Sequence, residues 1–459
     1  MNRRAPKNIV PPLDPHFLPA ILFNRHYVAA AKATCRAVPL ILGLERENGL
    51  ISRYETVTLP SCDETTARYV ERLVKFLLWS RGGWRLFIGG PKPIADFIRK
   101  TYSPRGARRF DVEKMSQAYG RDFEVVLTSP EKVPSPREVG VAAGSYRRGC
   151  RIGFDLSSTA YRVSGVRHGR VVFEESFDWD PRQQSNLDYH YHHITAALHR
   201  AAAHLPKVDA IGVSSTGIVV DNGIRIASLF RSVPRELQPQ AADLFKRIQQ
   251  EWHVPLVVMN DGDVAVLAGA LSLDIKGMLG IAMDAAEAAG YTDRQGRVVG
   301  WLNELAFVPV DYNTDAPADE WSGDRGTGIL YLSQQAISRL MPLAGIAVPG
   351  KMSLAERLKH VHSLMLRGDK RAARIYDTVG VYLGYTLALC ADFYDFRTAL
   401  VLGSVMDNSA GRLTLTRAEA VLKKEFPDLA ERIELRVPDE RSGRVGQAVA
   451  AASLPALAR

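Results

Sequence analysis

A chain of 459 residues, 46% hydrophobic and 24% charged, has the length of about three domains and the composition of an ordinary soluble globular protein. Its four cysteines (Cys35, Cys62, Cys150 and Cys390) are scattered and form no Cys-x-x-Cys pair, which argues against a disulfide framework and a cysteine-rich zinc site and points to a reducing compartment. No apolar run approaches the roughly 20 residues of a membrane helix, and the basic start lacks the apolar stretch of a secretion signal, so a cytoplasmic protein without a membrane partner is expected.

The net charge of +9 is uneven, with 25 Lys and Arg against 14 Asp and Glu in residues 1–150, but 34 against 36 in residues 151–459. The basic third is either a solvated surface or a face for nucleic acid. The first reading is favoured, because no basic run is long enough to be a tail.

In chain order, residues 1–20 are rich in Pro and Arg and read as an irregular arm. Residues 38–59 read as a hairpin about Asn48-Gly49, a strong short-range turn signal between two β-rich runs. Asp63 opens a helix, followed by a strand at 84–90, a helix near 93–101 and a strand at 123–127. The three prolines of 130–136 read as a linker. A second block opens at Cys150 with a strand, a hairpin about His168-Gly169, a helix at 191–204 and the strand from Val208. A helix at 241–252 then leads to the strand 254–259. The third block, from Met278, alternates strand and helix and ends with a long helix at 373–393, a strand at 397–403 and a helix near 443–452. Hairpin, helix and strand recur at 38–90 and 150–217, so either an internal duplication or a shared α/β rhythm is in play.

The chemistry gathers at a few strand ends. Val254–Met259 runs into Asn260-Asp261-Gly262 and then an apolar helical pattern, which places a carboxylate where open α/β sheets bind their ligands. Asn260 and Asp261 suit the holding and deprotonation of a hydroxyl, or simply cap the helix. Asp155, in Gly153-Phe-Asp-Leu-Ser-Ser-Thr159, either contacts Mg2+ beside phosphate-facing amides or caps a turn. Asp284, in Met283-Asp-Ala-Ala-Glu-Ala-Ala-Gly-Tyr291, reads as a turn or helix cap, since a carboxylate among phosphate oxygens is repelled without a metal between them. Glu304 lies in an apolar strand pattern, where alternation favours the solvent face. Of His190, His192 and His193, only the first and last share a helical face, so a metal is disfavoured. Residues 319–328 lack the ending of a phosphate loop and read as a structured loop capping a helix at 329–340.

The order of these motifs resembles the ROK family of sugar kinases and repressors over residues 150–452. Residues 153–159 stand where the family has its first phosphate loop, and 283–291 where it has its second. Residues 208–217 resemble its Gly-x-Gly-x-Pro-Gly segment, 258–269 its Asn-Asp-x-x-x-x-Ala motif, and Asn303-Glu-Leu-Ala-Phe307 its Gly-Glu-x-Gly-His. Val401-Leu-Gly-Ser-Val405 resembles its adenosine-side turn.

The resemblance implies an α/β, actin-like (ribonuclease H-like) two-lobed ATPase fold. An N-terminal α/β extension (1–149), which would be a degenerate half-domain if the duplication is real, precedes a first lobe (150–270). The second lobe (271–459) ends in a helix that returns to the first. It further implies a kinase that transfers the ATP γ-phosphate to a sugar hydroxyl, with ATP and Mg2+ as cofactors, a small carbohydrate as partner and a homodimer as one assembly. Asp261 would be the base, and Asn260, Glu304 and Gly217 would hold the sugar. Asp155, Ser157, Ser158, Thr159, Asp284, Ala285, Gly403 and Ser404 would face nucleotide and Mg2+.

The departures support a rival. Serines 157 and 158 replace glycines that permit close approach to phosphate. Asp284-Ala285 replaces Gly-Thr, Phe307 replaces the sugar-binding His, and the zinc-binding cysteines are absent, so no zinc is expected. The alternative is a catalytically silent, sugar-binding or regulatory pseudokinase. A compact trihelical DNA-reading pattern is absent from residues 1–150, which disfavours a repressor.

Overall fold

Asn48 and Gly49 both take left-handed backbone (φ 55° and 68°), and that turn joins the first two strands. In the computed structural model, which describes residues 8–142, 148–348, 350–437 and 446–457, the chain begins with α1 (Ala20–Ala33). It continues through β1 (Val38–Glu45), β2 (Ile51–Thr58), α2 (Glu64–Arg81), β3 (Arg85–Gly89), α3 (Lys92–Thr101), α4 (Arg109–Tyr119) and β4 (Glu124–Thr128). Asp63 caps α2 by accepting from the Thr66 N–H at 2.9 Å, which satisfies one of the orphan donors of the first turn. Helix α1 follows the expected irregular arm and occupies a stretch before the hairpin to which the sequence assigned no element; it buries Ala20, Ile21, Tyr27 and Ala31. The proline segment after β4 is not a free linker. Val133 is buried there and packs against Gly43 and Gly89, where a Cβ would collide with it.

The second block comprises β5 (Cys150–Leu156), β6 (Ala160–Arg167), β7 (Arg170–Asp178), α5 (Leu187–Ala202), β8 (Ala210–Ser215), β9 (Ile218–Val220) and β10 (Gly223–Ile226). It closes with α6 (Gln238–Ala242), α7 (Leu244–Trp252), β11 (Leu256–Asn260) and α8 (Asp261–Leu273). Its sheet runs in the order β11-β8-β5-β6-β7, with β11, β8 and β5 parallel.

The third block holds β12 (Met278–Met283), β13 (Glu287–Thr292), α9 (Gln334–Leu343), α10 (Leu354–Leu366), α11 (Lys370–Ala391), β14 (Thr398–Leu402), α12 (Asn408–Glu425), α13 (Pro427–Ala430) and β15 (Glu434–Arg436). Its sheet runs β13-β12-β14-β15. Helix α14 (Gln447–Ala452) lies back across β5 and β8 of the second block. It sits on Gly153 and Gly212, which are register partners, and a methyl on either would overlap the carbonyl oxygen of Ala448 or Ala451.

The N-terminal sheet runs β2-β1-β3-β4, and β1 is antiparallel to β3, whereas β5 is parallel to β8. The shared hairpin–helix–strand rhythm is local patterning, and the two sheets are wound differently. The N-terminal elements share one apolar core with residues 279–433, while most of the second block's core is separate.

At the seam, Lys75 is fully buried and bridges Asp111 (2.8 Å) and Asp324, while Arg108 pairs with Glu71 and Asp324. Among the described residues no helix is long and apolar enough to cross a membrane.

Candidate functional site

Three parallel strands end side by side. The register sets Asp155 of β5 opposite Ser214 of β8, and Ser215 opposite Asn260 of β11, with Asp261 starting α8. Asn260 is fully employed in shaping this edge. Its Oδ1 accepts the Gly262 N–H at 2.8 Å, and its amide nitrogen donates to the Gly217 carbonyl at 2.8 Å. Asp261 Oδ1 accepts the same Gly262 N–H at 3.0 Å, and burial, reinforced by Asp155, pushes the carboxyl up to about 6. A base poised near neutrality is what general-base chemistry needs.

Opposite this edge, Glu304 precedes a single 3-10 turn, Leu305–Phe307, and does not lie in a strand as its apolar neighbours suggested. The N-terminal elements hold it there. The Glu304 N–H donates to the Trp79 carbonyl and the Asn303 N–H to the Ser80 carbonyl, each at 3.0 Å. Asn303 takes left-handed backbone (φ 53°), and its amide nitrogen donates to Asp263 Oδ1 at 2.8 Å. Its oxygen accepts from the Tyr394 hydroxyl at 3.1 Å. Asn303 therefore ties the Glu304 turn to α8, two residues from Asp261. Phe307 faces inward and packs on Trp79 with ring centroids 4.3 Å apart.

Burial pushes Glu304 up to about 8, with Asp261 and Asp263 adding to it, and pushes Asp263 up to about 7. A further carboxylate, Glu287, was not singled out from the sequence. It opens β13, is 4% exposed, has no hydrogen-bond partner on either oxygen among the described residues, and is pushed up to about 8 by burial and by Glu304. Gly290 and Thr292 of this strand are buried along with Ala289 and Tyr291, so both faces are covered and alternation gave no signal that would have found it.

These shifts carry a pH prediction. A carboxyl whose folded value is raised favours the folded state fully below its unfolded value and loses that contribution as pH climbs through the folded value. For Glu287 the window runs from 4.5 to about 8. Glu287→Gln is therefore expected to melt close to the parent at pH 5 and progressively above it by pH 8.5. A difference in melting temperature that does not change with pH refutes the assignment.

At the turns that the resemblance gives to phosphate, several groups that could receive an anion are engaged by the chain itself. Ser157 Oγ accepts the Ala160 N–H at 3.1 Å and the Thr159 N–H at 3.4 Å, and donates to the Ala160 carbonyl at 2.8 Å. Ser158 is partly buried, and Thr159 and Ala285 are exposed. The turn after β14 needs Gly403, whose φ is 98° and whose Cβ would strike the backbone of Met283. The next N–H, of Ser404, donates to Asp284 Oδ1 at 2.8 Å, and the Ser404 hydroxyl donates to the same oxygen at 2.7 Å. Asp155 accepts from the Ser214 hydroxyl at 2.7 Å, and the Gln447 side chain of α14 faces both its oxygens at 3.1 and 3.2 Å with its nitrogen turned inward. His190 Nε2 lies 2.9 Å from the Leu229 carbonyl, and among the described residues no group of three or more His, Cys, Asp or Glu is arranged to hold a metal. Residues 319–328 form a loop as expected, but the following α9 starts at Gln334 and is capped by Ser333.

No protein-family profile matches the chain, and no curated protein matches its sequence. Solved structures do match. A ROK hexokinase from Thermus thermophilus aligns at 17% identity over 67% of this chain and 98% of its own, with a TM-score of 0.54. A ROK-family transcriptional regulator, a homologue of the E. coli MLC protein, aligns at 17% identity over 80% of this chain and 89% of its own, with a TM-score of 0.53. A ROK-family protein from Streptococcus pneumoniae, solved in complex with sucrose, aligns at 11% identity over 67% and 96%, with a TM-score of 0.50. The chain has the actin-like α/β fold of ROK proteins, carrying an additional N-terminal α/β segment.

Proposed function

We propose that the chain is a divergent ROK protein that binds a small carbohydrate between Asp261 and Glu304 and does not transfer phosphate. The observation that carries this reading is the clasp of Asp284 on Ser404, which fills with the chain's own carboxylate the amide and hydroxyl that a phosphate would need. A triphosphate brought there would meet a fixed negative charge as well as the loss of two donors. Ser157 satisfies the first loop's amides in the same way, and the contacts of Ser214 and Gln447 with Asp155 leave it poorly placed to engage Mg2+. ATP with Mg2+, implied by the resemblance, does not fit these loops as they stand. Asp261 and Glu304 would remain for the sugar, with the Asn260–Gly217 contact shaping the edge beside them, and a bound carbohydrate would be held without being phosphorylated.

The kinase reading keeps one supporting observation, the Asp261 carboxyl at about 6. Melting with and without millimolar Mg-ATP separates the two. A ligand present at 100 times its dissociation constant stabilises by about 2.7 kcal/mol, so a binder cannot be missed. No shift is expected in the parent, and an upward shift is expected once Ser157→Gly, Ser158→Gly and Asp284→Gly are combined. A clear shift in the parent, or a phosphorylated product from a sugar panel, overturns the silent reading.

A further inference from the structure

A groove of about 650 Å³ opens on the N-terminal segment, between α1, the arm that precedes it and the first turn of α2. Leu22, His26, Ala30 and Thr34 recur every fourth residue along it, with Phe23 and Tyr27 beside them. The groove therefore follows one face of the helix for about 18 Å. Ile9, Pro11 and Phe17 of the arm and Tyr385 of α11 complete the walls. The arm is pinned in place. The Ile9 N–H donates to Glu425 Oε1 at 2.9 Å, the Ile9 carbonyl accepts from the Tyr385 hydroxyl at 3.1 Å, and the Leu18 N–H donates to Asp311 Oδ1 at 2.9 Å. Val10 and Leu18 also line the groove and are 53% and 36% exposed.

Three of its polar groups are already spent. The Tyr27 hydroxyl shares hydrogen bonds with the Thr58 and Thr66 hydroxyls at 2.9 and 3.0 Å and accepts the Leu59 N–H at 3.2 Å. The Tyr385 hydroxyl is taken by Ile9, and the Thr34 hydroxyl donates to the Ala31 carbonyl at 2.7 Å. A sugar or nucleotide laid here would give up water for few partners, whereas an aliphatic chain gives up nothing. A second protein is a poor fit as well. A strip about 18 Å long and one helix wide, about 10 Å, offers on the order of 200 Å², against about 800 Å² for each partner of a stable dimer. Charge narrows the choice further. Among the described residues that line the groove there is no Lys or Arg, while Asp63 is a carboxylate that the Thr66 N–H holds below the usual range. The last turn of α1, with its partial negative charge, reaches the groove at Thr34. An anionic head is repelled there and a cationic one is drawn in.

We propose that this groove binds a single-chain amphiphile, its aliphatic tail laid along α1 between Leu22 and Thr34 and its cationic head beside Asp63. The site belongs to the N-terminal segment, shares no residue with the Asp261 edge, and does not draw on the carbohydrate reading above.

Calorimetric titration of the full chain at pH 7 tests this, using octyl-, decyl- and dodecyltrimethylammonium below their micelle concentrations, beside decanoate. Affinity is expected to rise about fourfold with each added methylene, equivalent to about 0.8 kcal/mol. Decyltrimethylammonium should bind about threefold or more tightly than decanoate. Ala30→Trp, at an exposed helix position that lines the groove, should weaken every tail about tenfold or more while the melting curve stays where it was. Asp63→Asn, which keeps an N-cap side chain on α2, should bring the two heads to within about twofold and leave the chain-length series intact. Absence of saturable binding, or binding that ignores Ala30→Trp, overturns the groove as the site. Decanoate binding as tightly as the ammonium, or a preference that survives Asp63→Asn, overturns the cationic head. Sedimentation showing a dimer that Ala30→Trp dissociates makes a second copy the occupant and overturns the amphiphile altogether.

Discussion

Replacing Gly212 with alanine is expected to lower stability by about 3 kcal/mol or more, at the upper end of what overpacking costs. The reason lies in how α14 approaches the second sheet. Gly153 and Gly212 stand side by side on β5 and β8, and the Ala448 and Ala451 carbonyls of the helix come down onto them. A methyl group there meets backbone rather than the end of a flexible side chain, so the helix must lift. Lifting it exposes Ala448, Ala450, Ala451 and Ala452, all now buried, and removes Gln447 from Asp155. Gly350→Ala, where a Cβ would meet nothing, should change stability by less than about 0.5 kcal/mol. Denaturant midpoints of the two variants check this, and a Gly212→Ala midpoint equal to that of Gly350→Ala refutes the seat.

The second large effect is expected at Lys75. Its ammonium is fully buried between Asp111 and Asp324, and Asp111 also accepts from the Trp79 indole N–H at 2.7 Å. Lys75→Met keeps the length and most of the packing of the side chain but leaves buried Asp111 without a cation, while Asp324 keeps Arg108; removing one partner of a buried pair costs about 3–5 kcal/mol. Pairing it with Asp111→Asn should recover a sizeable part, and the double-mutant cycle isolates that coupling. A purely additive cycle would show that Lys75 acts through its stem alone. Because Lys75 and Asp111 belong to α2 and α4 while Asp324 belongs to the third block, the same variant should weaken the seam that holds Trp79 and Ser80 against the Glu304 turn, leaving Arg108 as the remaining partner of Asp324 there.

Much of the framework was legible in local pattern. Asn48-Gly49 and His168-Gly169 announce their hairpins, Asp63 announces α2, and the apolar run into Asn260-Asp261 announces a strand followed by a helix. Helix α10 carries a full capping box, Ser353 with Glu356, so its start was readable from the Ser-x-x-Glu spacing. Helix α1 was obscured by the prolines ahead of it, although Pro19 sits at its N-cap, where its missing N–H costs nothing.

The site was legible in part. Strand-end position marked Asp155 and Asp261, because a parallel sheet sends all its carboxyl ends to one edge. The clasp of Asp284 on Ser404 joins residues 120 apart in the chain, so no spacing rule reaches it. The same holds for Gln447 at Asp155, and for Trp79 and Ser80 holding Glu304 and Asn303, since each pair meets only once separate blocks have docked. The different winding of the first two sheets was hidden for a related reason. Period and order of elements are local properties, but whether β1 runs with or against β3 is decided by the crossover, which leaves little trace in composition.

The return of α14 has a consequence for how the chain is made. Strands β5 and β8 are synthesised well before the helix that covers them, and at ordinary elongation rates of about 5–20 residues per second the gap is on the order of ten seconds or more. Throughout that interval the glycine-floored strip of the second sheet is complete in its strands but lacks its lid. The nascent chain thus carries an open, apolar face on a finished sheet until the third block has been translated, and it is there that a wrong helix or a neighbouring chain would find room to dock.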